Sequence, residues 1–409
     1  MSQSSAQAAV IFLAFAFSYF ISALLRAVTA TLAPVFSAEL GLQAADLGLL
    51  AGAYFLGFSC MQLPLGQALD RFGPKRTVLC LLALAVGGCL AFALAPKLAG
   101  LIGARVLIGM GVGACLMAPL TLFRRLFSPA AQLRANSWML MTGSLGMLAS
   151  TLPVQALLPV LGWRGLFWLL AGLLALGMLF IGWQVPRDEM APAPEAGRDG
   201  GDAGYRDIVR HPLFRACAPL GFFVYGGMIA VQALWAGPWL TRVVGQSAVQ
   251  AAQGLFAINL AMLCAFGTWG LLMPRLARRG IGALRLMAWG LPLALVAMAV
   301  NVGLGASAGA AHWAAWCVAC TFVSISQPAV GAAFAPHLAG RALSAFNLVI
   351  FSGVFSVQWG MGLLMDVLRH RGWAEEQAFR TAFATLGVCG ALAYAWFLGT
   401  RPRGTHNRG

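Results

Sequence analysis

The sequence predicts an all-α polytopic membrane protein, with 12 transmembrane helices in two pseudo-symmetric six-helix halves. Three observations carry that prediction. Of the 409 residues, 60% are hydrophobic and only 10% are charged, far below the roughly 25% charge of a globular domain. The apolar residues gather into twelve runs, each near or above the ~20 residues that cross a bilayer as helix. Part of the first half also recurs in the second, displaced by 207 residues.

The runs span 10–36, 47–69, 77–95, 98–123, 135–160, 166–185, 213–240, 251–273, 286–302, 311–335, 342–365 and 379–399. They divide the chain into an N-terminal half (1–185), a linker (186–212), a C-terminal half (213–399) and a tail (400–409). The linker is rich in Pro, Gly and mixed charge and has no apolar periodicity, as an inter-half connection should. The net charge of +15 is topological. Nineteen Lys and Arg fall in even-numbered connections and the tail, against six in odd ones (Lys97, Arg164, Arg242, Arg369, Arg371, Arg380). That positive-inside bias puts both termini in the cytoplasm and accounts for the basicity without nucleic acid. Residues 1–9 lack a basic n-region and the first run is too long for a signal h-region, so it is expected to stay as the first helix. All nine cysteines lie in apolar runs, which fits small hydrophobic packing better than a disulfide framework. Cys317 and Cys320 with Met228 and Met262 could be read as a soft-metal path. Core packing is the simpler reading, so neither metal nor cofactor is expected.

In the first run Ser18, Ser22, Arg26 and Thr29 follow at spacings of four, four and three, which puts them on one helical face. Arg26 is the only charge between Val10 and Phe36. A charge at that depth costs roughly 2.5 kcal/mol or more, which directs it to a bundle interior or wet cavity. Snorkelling or a structural ion pair is the plainer alternative. Asp46 opens the second run, where it suits a helix N-cap.

Between the second and third runs lies Gly66-Gln67-Ala68-Leu69-Asp70-Arg71-Phe72-Gly73-Pro74-Lys75-Arg76, a tight turn with basic residues to hold it at the membrane surface. This stretch resembles the signature of the major facilitator superfamily at every fixed position. The resemblance implies that Gly66, Asp70, Arg71, Gly73, Lys75 and Arg76 help close the cytoplasmic side against the other half, and that the chain is a bacterial inner-membrane protein acting as a monomer. The third run has almost no polar side chain and should face lipid. The fourth contains Arg105 followed by Gly109, Gly111 and Gly113, which also looks like a family motif; the glycines allow close helix approach. For Arg105, structural pairing and a part in gating both remain open.

Phe127, Pro129, Arg134, Ala135 and Ser137 recur as Phe334, Pro336, Arg341, Ala342 and Ser344, and the same offset carries Arg71 and Gly73 onto Arg278 and Gly280. Two repeated halves follow from this sequence alone. The fifth run, Gly143 to Pro153, lacks the Gly-Pro motif of the family's drug–proton antiporters. In the seventh run Tyr225, Met228, Gln232, Trp235 and Trp239 form a stripe three and four apart. Asn259 in the eighth run, Gln327 in the tenth and Asn347 in the eleventh add amides that serve either a cavity or helix-to-helix bonding. The third, sixth, ninth and twelfth runs are nearly free of polar groups, and the resemblance implies that these helices lie outside.

No carboxylate lies within a run, although proton relays in membranes use buried carboxylates or His; His312 and Asp46 are only weak candidates. An unpaired buried Arg favours an anion that can bond it bidentately. The stretch from Tyr19 to Gly48 resembles the family's organic-phosphate antiporters. Those carry a second Arg in the seventh helix, where Gln232 and Trp235 stand here. The expected function is therefore secondary transport of a small organic anion, such as a monocarboxylate, by alternating access. Arg26 would hold the anion, with Ser22, Thr29, Tyr225, Gln232, Trp235, Asn259, Gln327 and Asn347 lining the path. The alternative is efflux of amphipathic compounds through an aromatic, Met-lined cavity. No nucleophile, base and orienter can be grouped, so enzyme chemistry is not expected. The partners are a small-molecule substrate and the lipid bilayer.

Overall fold

The computed structural model describes residues 5–127, 129–185 and 205–402. Linker residues 186–204, tail residues 403–409 and the side chain of Asp70 lie outside the described residues.

Among the described residues the chain is helix and short turns. α1 is Ser5–Leu40. A continuous helical stretch, Ala44–Leu94, breaks at Gly73 (φ 79°, ψ 163°) into α2 (44–72) and α3 (74–94). α4 is Leu98–Phe123, with a tight turn at Gly113. α5 begins as Pro129–Ala149, kinks at 150–151 and continues to a second break at Gly162 (φ 61°), after which α6 covers 163–184. A short helix, Tyr205–Arg210, precedes α7, Pro212–Val243. α8 is Ala248–Arg278, α9 Ala283–Leu304, α10 Ala310–Ala332, α11 Pro336–His370 and α12 Glu375–Thr400. Among the described residues eleven helical stretches are each long and apolar enough to cross a membrane; the first segment of α5, Pro129–Ala149, is not one of them. The twelve helices run alternately in opposite directions, so the start of α1 and the end of α12 lie on one face, here the terminal face; the opposite one is the far face.

The irregularities have local causes. Pro153 lacks an N–H and crowds the preceding turn, and at that kink Ser150 Oγ donates to the Met147 carbonyl, Thr151 Oγ1 to that of Leu148 and Thr31 Oγ1 to that of Ser150. The two repeats show in the backbone as well. Gly73 and Gly280, related by the 207-residue offset, both take positive φ, 79° and 71°, a conformation that suits glycine. Within the predicted linker Tyr205–Arg210 forms one helical turn and a half, too short for periodicity to reveal, anchored by the buried Ile208.

The outer helices carry their apolar residues outward. On α9, Trp289, Leu293, Val296 and Val300 are exposed at spacings of four, three and four, a lipid-facing stripe. On α6 the exposed set includes Trp168, Leu176, Leu179 and Trp183. The two halves meet along an antiparallel seam of α2 and α11. Phe55 and Phe58 lie 6.1 and 4.6 Å from the Phe351 ring, and Gln62 reaches Asn347.

Within the N-terminal half α4 presses on α2 so closely that a methyl group at Gly109 would overlap the Tyr54 carbonyl oxygen. Gly109→Ala is expected to cost about 1–3 kcal/mol through overpacking, read as a lowered thermal midpoint. Gly103→Ala on the same helix meets open space and is expected to leave the midpoint unchanged or raised.

Candidate functional site

Arg26 sits on α1 at the junction of the two halves. Its guanidinium is 5.6 Å from the centroid of the Phe58 ring on α2, within cation–π range. The hydroxyls within its electrostatic reach belong to Tyr54 on α2, Tyr19 on α1 and Tyr225 on α7. Three of the chain's five tyrosines thus converge on one cation. Tyr54 is fully buried and donates to the Ser22 carbonyl at 3.5 Å. The Arg26 Nε, Ser22 Oγ and Thr29 Oγ1 atoms are buried with no hydrogen-bond partner. Among the described residues the ion pairs are Arg164–Glu39, Arg242–Glu375 and Arg380–Glu376, and none reaches Arg26. A half-buried cation with hydroxyls but, among the described residues, no carboxylate has no acid to balance its charge, a costly arrangement that an anion would relieve.

Arg105 backs this site. It is 1% exposed, donates through Nη1 to the Leu25 carbonyl at 3.0 Å, and lies 5.8 Å from the rings of both Tyr54 and Phe92. Its bond is to the residue immediately before Arg26, so it ties α4 to α1 behind the site.

The seventh-run stripe does not keep one face. α7 has wide i→i+5 turns at 220–225, 231–235 and 239–243, which rotate successive residues away from a 3.6-residue repeat. Tyr225 faces Arg26. Gln232 donates to Asn259 Oδ1 at 2.8 Å, and Trp235 Nε1 to the Gln358 carbonyl at 3.2 Å. Trp239 Nε1 donates to the Ala308 carbonyl at 2.9 Å. The other amides form a chain: Gln327 Nε2 donates to Asn347 Oδ1 at 2.5 Å, Asn347 Nδ2 to Gln62 Oε1 at 3.5 Å, and Gln62 Nε2 to the Phe58 carbonyl at 3.3 Å. That chain crosses between halves on the terminal side of Arg26 and ends on the residue whose ring faces the guanidinium.

The far face is tied shut. The Asp366 carboxylate on α11 accepts the Ala44 and Ala45 N–H groups at the start of α2, at 3.1 and 2.7 Å, where the helix dipole favours an anion. Arg242 on α7 donates to Ser37 Oγ on α1 at 2.6 Å and pairs with Glu375 at 3.4 Å. Asp46 is not the N-cap expected from sequence: Gln43 takes that position, and Asp46, in the first turn of α2, accepts the Gln43 N–H at 3.1 Å as the reciprocal half of a capping box. Two hollows of about 380 and 390 Å³ open at this face and share Arg242 in their walls; neither includes Arg26.

The signature turn contacts its own half through Lys75, whose Nζ donates to the Gly182 and Val185 carbonyls at the end of α6. Arg71 lies over Phe72, and Gly73 supplies the turn. Gly66 and Arg76 flank it, Gly66 exposed with open space around it. His312 is exposed, its carbonyl accepting from Asn301, and Cys317 and Cys320 are buried.

Sequence reasoning missed Tyr54, Phe58, Gln62 and Asp366, and named Tyr19 only as the start of a stretch. Tyr19 lies seven residues before Arg26, two helical turns and therefore the same face; that signal was available. Tyr54 could have been noticed as the lone Tyr of its run.

The sequence profile of the Major Facilitator Superfamily matches residues 15–357. A "Probable L-galactonate transporter" of Escherichia coli (strain K12) is 31% identical over 153 residues, 36% of this chain and 32% of that protein. A "Probable anion transporter 6, chloroplastic" of Arabidopsis thaliana is 30% identical over 160 residues, 37% of this chain and 29% of that one. The chain thus aligns with about a third of the length of these curated relatives. Among solved structures, a bacterial homologue of the human lysosomal transporter Spinster, in an inward-facing conformation, superposes with TM-score 0.77 at 18% identity over 98% of both chains. A D-xylose–proton symporter does so with TM-score 0.73 at 16% identity, covering 96% of this chain and 97% of that one. At those identities the likeness is one of fold.

Proposed function

The chain belongs to the major facilitator superfamily, and from that premise we propose that it moves a small organic anion, a monocarboxylate or related metabolite, across a bacterial cytoplasmic membrane by alternating access, with Arg26 holding the anion. The carrying observation is the Arg26 guanidinium, without a carboxylate partner among the described residues, between tyrosine hydroxyls from both halves. A carboxylate there gains charge-assisted bonds and touches both halves at once, as a transported solute must. Aromatic rings of Phe58 and Phe351 suit its organic body.

A single accessible guanidinium favours one negative charge over two. The second arginine, Arg105, is 1% exposed and bonds the Leu25 carbonyl through Nη1, with its Nε left unpartnered, and α7 brings Tyr225 to the site rather than a cation. The names of the relatives, a probable L-galactonate transporter and a probable anion transporter, accord with this reading. The terminal face would be cytoplasmic and the far face, latched by Asp366 and Arg242, external. The working unit is taken as a monomer.

The test is thermal unfolding of the purified protein against monocarboxylates, organic phosphates and amphipathic cations. A ligand that binds the folded state at 100 times its Kd adds about 2.7 kcal/mol. Monocarboxylates are expected to raise the midpoint most. A midpoint raised only by amphiphiles would overturn the proposal in favour of efflux.

A further inference from the structure

We infer that the short helix Tyr205–Arg210 is an interfacial element that docks on anionic phospholipid headgroups at the terminal face. Successive helical residues turn by roughly 100°, so the sequence around this helix can be read as sectors. Ile208 is the buried one, fixing the helix to the bundle. Next around the surface come Tyr205 and Val209, four residues apart, apolar and yet 37% and 51% exposed. Beyond them lie Arg206 and Arg210, again four apart and both exposed, and Asp207 occupies the sector furthest from the apolar pair. Protein contact, apolar strip, cationic strip and acid therefore follow in the order of bundle, acyl boundary, headgroup and water. An amphipathic helix lying in the interface plane has that arrangement.

The level of the helix agrees with its sectors. It leads within two residues into α7, whose Arg215 carbonyl accepts from Trp396 Nε1 at 3.0 Å. Trp396 stands four residues before the end of α12 and is 47% exposed, the position of an interfacial aromatic belt. Arg215 is exposed at the same level and adds a third cation. None of the ion pairs among the described residues involves these arginines. The apolar pair selects a lipid over a dissolved anion, because a free phosphate has no use for exposed Tyr205 and Val209. The helix is also tied to the C-terminal half. His211, next in the chain, packs its ring 4.6 Å from that of Phe334 in the turn between α10 and α11, so headgroup binding would bear on the terminal ends of those helices.

The experiment measures the thermal midpoint of the full chain in neutral detergent micelles, titrated with phosphatidylglycerol, phosphatidylcholine or inorganic phosphate. Phosphatidylglycerol is expected to raise the midpoint, and the other two to leave it unchanged. The double variant Arg206→Gln/Arg210→Gln should need roughly 30-fold more phosphatidylglycerol, given about 1 kcal/mol per basic residue near an anionic surface and 1.4 kcal/mol per tenfold. Arg206→Lys/Arg210→Lys should follow wild type, and Val209→Ser should weaken the response. In the wild-type protein alone, raising the salt concentration should reduce the shift. The proposal is overturned if phosphatidylcholine or inorganic phosphate acts equally, if salt has no effect, or if the Gln variant titrates like wild type. Those results would mean respectively a non-specific lipid response, an aqueous anion site, an apolar contact alone, or headgroup binding elsewhere.

Discussion

Arg26→Gln is expected to abolish saturable carboxylate uptake into proteoliposomes, weakening substrate binding by on the order of 10²–10³-fold, the equivalent of about 3–4 kcal/mol for removing one partner of a buried charge pair. The sign of the stability change makes the test clean. Without substrate, the Arg26 Nε is buried and unpartnered, and among the described residues no carboxylate neutralises the guanidinium. Exchanging an uncompensated intramembrane charge for a neutral amide should therefore leave the unfolding midpoint equal or higher. A variant that is stable and silent separates substrate recognition from folding. Arg26→Lys keeps the charge but not the planar fork, so it should retain measurable transport at raised KM. Uptake by Arg26→Gln with wild-type affinity would move the anion site elsewhere in the bundle.

Asp366→Ala should open the far face. The Asp366 carboxylate takes two backbone N–H groups from α2 across the seam between halves. Charge-assisted bonds of this kind are each worth about 1.5–3 kcal/mol, with a further contribution from the helix dipole. Loss of roughly 3 kcal/mol from the closed state corresponds to on the order of 10² in the opening equilibrium. Hydrogen exchange at residues 42–50 should accelerate by a comparable factor, because exchange reports local opening. Residues 143–149 on α5, packed against α1 within one half, serve as the unaffected reference. Asp366→Asn, which retains one acceptor oxygen, should fall between. Unchanged exchange at 42–50 would mean that Arg242 and the α2–α11 packing hold the face shut unaided.

Much of the architecture was legible in the residues. The twelve runs and the repeat from Phe127 to Phe334 led to a two-halved helical bundle, and the family profile across 15–357 with the fold likeness to solved transporters bears out that fold class. Helix existence in a bilayer depends on the summed hydropathy of a local segment, and breaks such as Gly73 and Gly162 are set by residues within a turn of them. Arg26 stood out for the same local reason: one guanidinium in a run of apolar residues has a cost that needs no neighbours to be calculated.

Its surroundings were not legible. Tyr19, Tyr54 and Tyr225 come from three helices, and which hydroxyls meet the guanidinium depends on how each helix is rotated about its axis. In lipid the hydrophobic effect sets no preference among apolar faces, so rotation follows from packing and interhelical bonds. Those are non-local: Gly109 against Tyr54, or Gly146 against Phe20. The wide turns of α7 carry this furthest, sending Tyr225 to Arg26, Gln232 to Asn259 and Trp235 to Gln358 although their spacing reads as one face. Asp366 and Ala44 are joined across 322 positions. Segment-by-segment transfer energy thus decides that the chain spans the membrane and which charge is anomalous. Only the packed bundle, through contacts between helices far apart in the chain, decides what that charge can hold.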